Sequence, residues 1–422
     1  MDLYDELAWR GMVYDATDGL RDVLARETLT GYAGFDPTAS SLHVGHLLPA
    51  LSLARLQRQG HTPIAIVGGG TGLIGDPSGK SAERTLLTVE QVESNVASIR
   101  GQLSRFLDFD TPRNPARLVN NADWLTRMSA MEFLRDVGKF FTVNAMLAKE
   151  SVKRRIESED GISYTEFSYS LLQAYDFLML HDRFGCTLQV GGSDQWGNIV
   201  AGIDLIRRVR AAKAHGLVMP LLTTSSGAKF GKTEGGAVWL DPQLTSPYEF
   251  YQYWFNADDR DAVRYLKFFT FLDEAAIAGI EASSAREPEK RHAQRELARE
   301  VTRLVHSEAA VQEAEAAAEK LFRGDLSAMS AAELMQIFPN VPSCDLSPVA
   351  GGWLVPELLT AAGVAPSKSE AVRLVKGGGI SLNGRRVADE KERVTQAQAI
   401  EGRIFVIRKG KRDNFLIRLI VG

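Results

Sequence analysis

Three short apolar runs in the first half of the chain each lead into a turn that is rich in glycine or histidine. The runs are Thr28–Gly34, Pro63–Val67 and Thr187–Val190, and the turns that follow them contain His43–His46, Gly68–Gly72 and Gly191–Gln195. Helical patterns separate the runs, and this alternation predicts a parallel α/β sheet. Ligands bind beyond the carboxyl ends of the strands in such sheets, so the three turns together predict a binding site.

The length, composition and cysteine count exclude several classes of protein. A length of 422 residues predicts two to four domains, and 45 % hydrophobic with 24 % charged residues is ordinary for a globular protein. No apolar segment approaches the roughly 18 residues of a membrane span, and the acidic start does not resemble a signal peptide. With only Cys186 and Cys344, a disulfide framework is excluded. We expect a cytoplasmic protein without a membrane segment.

Charge is distributed unevenly along the chain. The whole chain has a net charge of −4, whereas residues 350–422 contain 13 Lys/Arg and 7 Asp/Glu, which gives +6 there and −10 elsewhere. A small basic module attached to an acidic body predicts that the C-terminal end binds a polyanion. A domain that is basic by chance is an equally open interpretation of the charge alone.

His43-Val44-Gly45-His46 lies where the first run gives way to a helix that is predicted over Gly45–Gln59. Two histidines three residues apart face the same side of a helical turn, where free N–H groups and the helix dipole favour phosphate. Gly45 permits a nucleotide to approach the backbone closely. Taken alone, the pattern also fits part of a metal site or two surface histidines, although no third ligand stands nearby at metal-binding spacing.

Lys229-Phe230-Gly231-Lys232-Thr233 is the second short signal. Two lysines that flank a glycine in a polar stretch indicate a loop that can bring positive charge to a polyphosphate. For this pentapeptide alone, the alternative is an ordinary solvated loop that happens to carry two lysines.

Together the two motifs resemble the HIGH and KMSKS signatures of class I aminoacyl-tRNA synthetases, in the same order and about 185 residues apart. Four further segments resemble the tyrosyl branch of that class: Tyr32–Thr38, Gly72–Gly79, Gly191–Asn198 and Ser246–Tyr251. The likeness extends from Trp9 to the C-terminus. It implies an ATP-dependent ligase that converts L-tyrosine to tyrosyl-adenylate with release of pyrophosphate, and then transfers tyrosine to the 3′ end of tRNA(Tyr).

The resemblance and the residue patterns predict five segments. In chain order they are a Rossmann-like parallel-sheet catalytic domain of the α/β class (1–225, with a dimer-forming insertion near 124–160), the KFGKT loop and a connection (226–245), an all-helical anticodon-side domain (246–330), a linker (331–352) and a small α+β domain that resembles the S4 RNA-binding domain (353–422). Within the last domain, helices are predicted over Val355–Gly363 and Ser369–Lys376, and a hairpin over Ile380–Val387 with its turn at Asn383-Gly384.

Polar residues form one stripe on a predicted helix that is otherwise apolar. Tyr169, Gln173 and Asp176 stand at i, i+4 and i+7, so they share a face that either meets water or lines a polar pocket. The resemblance implies the pocket, in which Tyr169 and Gln173 hold the α-amino group of tyrosine beside Asp76. Asp176 and Tyr32 would bracket the phenolic hydroxyl. Such a buried pair is left unpaired by phenylalanine, which predicts selectivity for tyrosine.

The remaining site residues are also implied by the resemblance. The ribose and the tyrosine carboxylate would be bound by Gly34, Asp36, Gly192, Asp194 and Gln195. The terminal phosphates would meet Thr38 and His43, and His46 would lie near the α-phosphate. Pyrophosphate would be enclosed by Lys80, Arg84, Lys229, Lys232 and Thr233, a set that composition alone would assign to exposed basic loops. The chain departs from the family pattern at Ala33, where many relatives have cysteine, and at three of five positions in KFGKT.

No side chain resembles a covalent nucleophile, so catalysis is expected from positioning and from donors that bind the transition state best. ATP is expected to enter with Mg²⁺, without a protein metal site and without a tightly bound cofactor. A homodimer is implied, with the apolar residues Phe133, Phe140, Phe141 and Met146 available for its interface or for an ordinary core. Contacts with the tRNA backbone are predicted for Lys368, Arg373, Arg385 and Arg386.

Three other functions remain open at this point. A tryptophanyl enzyme shares the fold and the motifs, but Tyr32, Asp176 and the appended basic domain argue against it. A cofactor adenylyltransferase with an HxGH motif would be much shorter. An inactive RNA-binding paralogue is the third alternative, and the intact HVGH, KFGKT and GGSDQ segments argue against loss of activity.

Overall fold

The computed structural model describes residues 1–76, 78, 87–157, 161–225, 227, 230–233, 236–323, 326, 329–338, 341–410 and 413–420. The chain divides into two compact units, of which the first comprises Met1–Asp241 with Trp254–Val305 and the second comprises Pro242–Tyr253 with His306–Gly422. The division assigns parts of the predicted helical segment 246–330 to both units. No helix in the described part of the chain is long and apolar enough to cross a membrane.

The α-helices of the described residues are, in chain order, α1 (Leu3–Trp9), α2 (Leu20–Arg26), α3 (Leu47–Arg58), α4 (Val89–Leu103), α5 (Ala122–Leu125), α6 (Ala130–Glu132), α7 (Val143–Leu147), α8 (Glu150–Ile156), α9 (Tyr164–Phe184), α10 (Trp196–Arg210), α11 (Pro247–Phe255), α12 (Asp259–Phe269), α13 (Glu274–Arg286), α14 (His292–Val305), α15 (Glu308–Arg323), α16 (Ala331–Ile337), α17 (Val355–Ala361) and α18 (Lys368–Lys376).

The strands of the described residues are β1 (Asp15–Ala16), β2 (Thr30–Phe35), β3 (Thr62–Val67), β4 (Arg117–Asn120), β5 (Cys186–Gly192), β6 (His215–Met219), β7 (Lys232–Thr233), β8 (Gly236–Ala237), β9 (Ser343–Leu346), β10 (Trp353–Leu354), β11 (Ile380–Leu382), β12 (Arg385–Arg386), β13 (Arg393–Val394), β14 (Ile404–Lys409) and β15 (Asp413–Leu419).

A six-stranded sheet organises the first unit, in the order β1-β6-β5-β2-β3-β4. Strands β6, β5, β2, β3 and β4 run parallel, and β1 joins β6 antiparallel at one edge. The predicted α/β class with a parallel sheet is thereby confirmed. The three strands predicted from apolar runs are β2, β3 and β5. They are neighbours in the sheet, so the turns at their carboxyl ends lie together.

Local sequence determines where the two helices that carry the site begin and end. Pro49 lies in the first turn of α3, where the absence of an N–H group removes no helical hydrogen bond, and Gly60 follows the helix with a φ of 91°. Helix α9 begins where the Ser163 side chain accepts from the N–H of Glu166. It ends at Phe184, and Gly185, which caps it, has a φ of 63°.

The second unit contains a five-stranded sheet in the order β12-β11-β14-β15-β9, with α17 and α18 packed on it. The predicted hairpin is β11 with β12, and its turn residues Asn383 and Gly384 both have positive φ, as the tight hairpin turn requires. The predicted C-terminal helices correspond to α17 and α18, so the α+β character of this end of the chain is confirmed.

The segment 331–352, for which a linker was predicted, contains α16 and β9. Strand β9 pairs parallel with β15, and its residues Cys344 and Leu346 pack against the core of the second unit. Ser343-Cys344-Asp345-Leu346 is too short and too polar to signal a strand by its own pattern. Its strand conformation comes from a partner that lies far along the chain.

Candidate active site

A cavity of about 710 Å³ opens beyond the carboxyl ends of β2, β3 and β5. The residues that were predicted for the site and that line this cavity are Tyr32, Gly34, Asp36, Thr38, His43, Gly45, His46, Asp76, Tyr169, Gln173, Asp176, Gly192, Asp194 and Gln195. The three turns found in the sequence therefore converge on one place, as expected for a parallel sheet. Three predicted site residues, Lys80, Arg84 and Lys229, lie outside the described residues.

Asp176 projects from α9 into the apolar interior and is 4 % exposed. Its Oδ2 atom accepts a hydrogen bond from Asn121 Nδ2 at 2.9 Å, and its Oδ1 atom accepts one from Trp124 Nε1 at 2.7 Å. Burial raises the pKa of Asp176 to about 7, although both hydrogen bonds act in the opposite direction. Each carboxylate oxygen keeps a second lone pair, so Asp176 can still accept a hydroxyl donor from a ligand.

Tyr32 lies on β2 with 1 % of its surface exposed, and its ring meets Phe177 of α9 edge-on at 5.1 Å between centroids. Burial, together with the nearby Asp176, raises the pKa of the Tyr32 phenol well above its ordinary value, so the hydroxyl keeps its proton. The described residues supply no hydrogen-bond partner for this hydroxyl. A buried hydroxyl without a partner is costly, so a polar ligand group in the cavity would satisfy it.

A chain of hydrogen bonds connects Asp176 with the turn after β3. Asn121 donates to Asp176 and to Thr71 Oγ1, and its Oδ1 accepts from the N–H of Gly70. Thr71 Oγ1 in turn donates to Asp36 Oδ1, and Asp36 Oδ2 accepts from the hydroxyl of Tyr169 at 3.0 Å. The amide of Asn121 therefore links Asp176 of α9 to the turn after β3.

A second network lines the cavity on the side of α10. Gln195 Nε2 donates to Asp76 Oδ2 at 2.7 Å, Gln173 Nε2 donates to Gln195 Oε1 at 3.2 Å, and Asn198 Nδ2 donates to Gln173 Oε1 at 3.0 Å. The network places the carboxylate of Asp76 and the side-chain oxygens of Gln173 and Gln195 at one end of the pocket. Carboxylate and amide oxygens are acceptors that suit an ammonium group.

The histidine turn is a 3₁₀ turn, Val44–His46, that precedes α3. His43 Nδ1 accepts from the N–H of Gly45 at 3.0 Å, and His46 Nδ1 accepts from the N–H of His43 at 3.1 Å. Because both Nδ1 atoms are acceptors, each neutral imidazole carries its proton on Nε2, which is therefore a donor. A Cβ atom at Gly45 would lie 2.7 Å from His43 Cε1, so glycine is needed to seat that imidazole.

The prediction of free backbone N–H groups in this turn is wrong. The N–H of Val44 donates to Val238 O, that of Gly45 to His43 Nδ1, and that of His46 to His43 O. The local side-chain caps and a neighbouring segment satisfy the donors that a helix start usually leaves open. Any phosphate contact here must therefore come from the imidazoles.

The KFGKT segment meets the histidine turn through backbone contacts. Lys232 and Thr233 form β7, which pairs with β8, and Gly231 lies so close to Val44 that a Cβ atom there would be 3.1 Å from Val44 Cγ2. The N–H of Leu240 donates to Leu42 O at 2.8 Å, beside the bond between Val44 and Val238. Val238 connects the two motifs, since its N–H donates to Gly231 O at 3.0 Å and its carbonyl accepts from the N–H of Val44 at 2.9 Å. The Lys232 side chain remains exposed.

Sequence reasoning missed four residues that line the cavity or interact with its acidic groups. Thr71, Asn121 and Trp124 fix the acidic groups, and they stand in turns or in the short helix α5 without any pattern that predicts a role. The fourth is Lys149, whose Nζ is buried without a hydrogen-bond partner among the described residues. Burial lowers the pKa of Lys149 to about 8, while nearby Asp76 acts to raise it.

The parallel sheet and the pocket at its carboxyl edge fit a class I tRNA synthetase, the class to which sequence comparison assigns most of the chain. A sequence model described as "tRNA synthetases class I (W and Y)" matches residues 24–323. A second model, described as "Tyrosine--tRNA ligase SYY-like C-terminal domain", matches residues 333–417. The chain is similar over nearly its whole length to tyrosine--tRNA ligases, at 58 % identity for that of Roseiflexus castenholzii (99 % of each chain covered) and at 54 % for that of Geobacillus stearothermophilus (99 % of this chain and 100 % of the other). The chain belongs to the tyrosine--tRNA ligase family.

Solved structures agree with this assignment. A C-terminally truncated mitochondrial tyrosyl-tRNA synthetase of Aspergillus nidulans is 34 % identical with a TM-score of 0.68, covering 76 % of this chain and 94 % of the other. A tryptophanyl-tRNA synthetase of Encephalitozoon cuniculi has a TM-score of 0.53 at 15 % identity, covering 74 % of this chain and 87 % of the other, which is a likeness of fold alone. The sequence-based choice of the tyrosyl branch over the tryptophanyl branch is confirmed.

Proposed function

We propose that the chain carries out both steps of tyrosine ligation in the cavity of the first unit. Tyrosine would enter with its phenol between Tyr32 and Asp176, and its carboxylate would attack the α-phosphorus of ATP to give tyrosyl-adenylate and pyrophosphate. A hydroxyl of the terminal ribose of tRNA would then take the tyrosyl group. The observation that carries the proposal is the buried hydroxyl of Tyr32, which has no hydrogen-bond partner among the described residues and lies in a cavity that Asp176 also lines.

The tyrosine end of the pocket selects by hydrogen bonding. The phenolic hydroxyl of the substrate would donate to Asp176 and accept from Tyr32. Phenylalanine would leave the Tyr32 hydroxyl buried without a partner and would offer no donor to Asp176, which keeps only its bonds from Asn121 and Trp124. The missing hydrogen bonds cost binding free energy. Tyrosyl-tRNA synthetases are the standard example of this kind of rejection. At the opposite end, the α-ammonium group would lie among Tyr169, Gln173 and Asp76.

The ATP end of the pocket supplies donors for the phosphates. The Nε2–H groups of His43 and His46 would bind oxygens that gain charge in the transition state, and Lys232 would bind pyrophosphate from the hairpin. Thr38 would meet the terminal phosphates. Lys80, Arg84, Lys229 and Thr233 are proposed to assist, and ATP would bring Mg²⁺ with it.

The ribose and the carboxylate would be bound between the turns after β2 and β5. Asp36, Asp194 and Gln195 offer oxygen and amide atoms there, and all three line the cavity. At Gly34 the nearest atom to an added Cβ is Ile66 Cγ2 at 3.6 Å, an ordinary contact, so a close ligand rather than protein packing would explain glycine there. At Gly192 an added Cβ would meet Asp194 Oδ1 at 2.5 Å, so this glycine lets Asp194 fold over the turn.

An assay of ATP–pyrophosphate exchange with each amino acid tests the proposed activation step. We expect exchange that depends on tyrosine. Exchange that depends on tryptophan would overturn the assignment of the pocket, and absence of exchange with every amino acid would overturn the activity itself. We also place this activity in the cytoplasm.

Transfer to tRNA is proposed to use basic residues of the second unit. Lys368, Arg373 and Arg385 are exposed and form surface ion pairs with Glu357, Glu370 and Glu392, which are weak enough for phosphates to replace. Deletion after residue 350 is a poor test. Ile404, Val406 and Leu416 share a core with Leu334 of α16, which the deletion would expose.

Charge substitution tests the RNA contact with less damage. The variant Lys368→Gln/Arg385→Gln should spare tyrosine activation and weaken charging of tRNA, with a salt dependence reduced by about one unit of slope per lost phosphate contact. The matched control is Lys290→Gln, an exposed lysine of the first unit that also pairs with a glutamate. Unchanged charging and salt dependence would contradict this part of the proposal.

A homodimer is proposed through the segment after Trp124. Phe133, Phe140 and Phe141 pack partly buried against the core of the first unit and Met146 is buried, so these four side chains serve the interior. Other apolar residues of the same segment are exposed, namely Met131, Leu134, Val143, Leu147 and Ile156. Several exposed apolar side chains within one short segment favour a protein interface there.

Sedimentation of a charged variant tests the dimer. Val143→Asp should convert a dimer into a monomer, whereas Val349→Asp, at a similarly exposed valine of the second unit, should leave the mass unchanged. A parent protein that sediments as a monomer would overturn the proposal.

A further inference from the structure

Helix α12 contacts the chain on both sides of the first lysine of the KFGKT motif. Near its start, Asp261 is 2 % exposed and accepts two hydrogen bonds on Oδ2, from the N–H and the hydroxyl of Ser225, both at 2.8 Å. Arg264 also links α12 to the segment before the motif, since it donates to Asp261 Oδ1 at 2.6 Å and to Thr223 O at 2.7 Å. Charge-assisted bonds of this length to a buried carboxylate are among the stronger polar contacts in proteins.

The far end of α12 holds the second residue of the motif. The Phe230 ring is 7 % exposed and stacks on Phe269 with 5.4 Å between centroids and an interplanar angle of 3°. Tyr265 meets it edge-on at 5.3 Å, and Trp254 lies 6.0 Å away. Buried aromatic contacts of this kind add to the free energy of burying the ring and orient it. Gly231 and Lys232 follow directly.

The same end of α12 is fixed to the helix that begins at the histidine turn. Arg55 of α3, 1 % exposed, donates through Nη2 to Phe268 O at 3.0 Å and to Thr270 O at 2.7 Å. Arg10, which directly follows α1, donates to Lys267 O and to Leu272 O, both at 2.9 Å. These carbonyls belong to the last turn of α12 and the residues after it, where positively charged groups are favourable.

From these contacts we infer that α12 is the element that sets the position of Lys232, with Asp261 and Phe230 as positioning residues for the phosphate end of the site. Neither residue needs to touch ATP. Asp261 holds the chain before the motif, Phe230 holds it within the motif, and Arg55 ties the same helix to α3. The inference rests on the proposed function, because Lys232 matters only if the site binds a polyphosphate.

A double-mutant cycle tests this role. Asp261→Asn keeps the shape of the side chain and removes its charge. We expect single-turnover adenylate formation to slow by roughly ten- to a hundredfold, as for a misplaced catalytic group, while the Kd for tyrosine stays within about twofold. In a Lys232→Ala background the same substitution should slow the reaction by less than about threefold, because the group that it positions is already gone.

Two further variants distinguish loss of positioning from a general loss of folding. Asp259→Asn makes the same change on the same helix, but Asp259 accepts from Gln294 of α14, so its rate should match the parent. Phe230→Leu keeps an apolar side chain and removes the ring contacts, and it should repeat the pattern of Asp261→Asn if the latter variant does not fold.

The outcomes separate the inference from the function on which it rests. Equal slowing by Asp261→Asn in both backgrounds, a rate like the parent's, or a parallel loss of tyrosine binding would each overturn the positioning role. A parent protein that forms no adenylate from tyrosine would instead overturn the proposed function, before any variant is compared.

Discussion

The two ends of the pocket are constructed in different ways. At the tyrosine end, Tyr32 and Asp176 lie in the core, and Asn121 and Trp124 hold the acid through side-chain hydrogen bonds. At the proposed phosphate end, a backbone hydrogen bond joins a 3₁₀ turn to Val238, which directly follows a two-stranded hairpin, and Lys232 of this hairpin is exposed. Under the proposed function, rigid buried groups would select the substrate, and groups carried on short surface elements would perform the chemistry.

This difference explains what each end can do. A preformed buried pair discriminates between substrates because any mismatch leaves polar groups unpaired. A surface hairpin brings charge to a polyphosphate without burying a lysine in the absence of its partner, which would be costly. The two ends should therefore respond to substitution in separable ways.

The largest effect is expected from Lys232→Ala or His46→Ala. Each removes a donor for the phosphates and should raise the barrier to adenylate formation by about 2–4 kcal/mol, with little change in tyrosine affinity. Stopped-flow kinetics measures the rate of adenylate formation, and equilibrium binding measures the affinity for tyrosine. An equal loss in rate and in tyrosine binding would mean that the two ends are not separable.

Asp176→Asn should act on the other end. The new amide N–H group would face a donor, either Asn121 or Trp124, instead of an acceptor. The substitution also removes the best acceptor for the substrate hydroxyl, which should cost about 1–3 kcal/mol of binding free energy. The ratio of kcat/KM for tyrosine to that for phenylalanine should fall by the corresponding factor, roughly five- to 160-fold. An unchanged ratio would show that Asp176 does not read the hydroxyl.

The pH dependence of tyrosine binding sharpens the same point. Burial raises the pKa of Asp176 to about 7, so the acid is mostly protonated below that pH. Because the phenol donates to the ionised form, affinity should rise with pH by up to about tenfold per unit below pH 7 and level off above it. Titration calorimetry between about pH 5.5 and 8 measures this. The same slope in Asp176→Asn would assign the titration to another group.

The smallest effect is expected from Trp124→Phe. It removes one of two donors to Asp176, which should raise the pKa of Asp176 further and weaken tyrosine binding at pH 7 by about 1 kcal/mol, roughly fivefold. Adenylate formation at saturating tyrosine should stay near the parent rate. A loss of rate without a loss of affinity would connect the two ends through Trp124.

The sequence was sufficient to predict the sheet and to predict which residues lie together at its carboxyl edge. Regular patterns carry that information: apolar runs before glycine turns predicted β2, β3 and β5, and the spacing of Tyr169, Gln173 and Asp176 predicted one helix face. All three of those side chains line the cavity. The roles of the individual site residues stay predictions.

What the sequence did not reveal depends on contacts between distant segments. Asn121 and Trp124 follow β4 and have no periodic signal, yet they hold Asp176 across more than 50 residues. The N–H groups of the histidine turn are satisfied partly by Val238, which no local pattern connects to Val44. Strand β9 similarly depends on β15. Pairings of this kind are decided by tertiary structure and cannot be read from local propensity.

The bonds of Asn121 limit how this pocket could be redesigned for an unnatural amino acid. Its single amide serves Asp176, Thr71 and the N–H of Gly70 at once. Replacing Asp176 to admit an analogue without the hydroxyl would leave the donors of Asn121 and Trp124 without their acceptor. It would also disturb the turn that reaches Asp36. Successful libraries should therefore randomise these positions jointly.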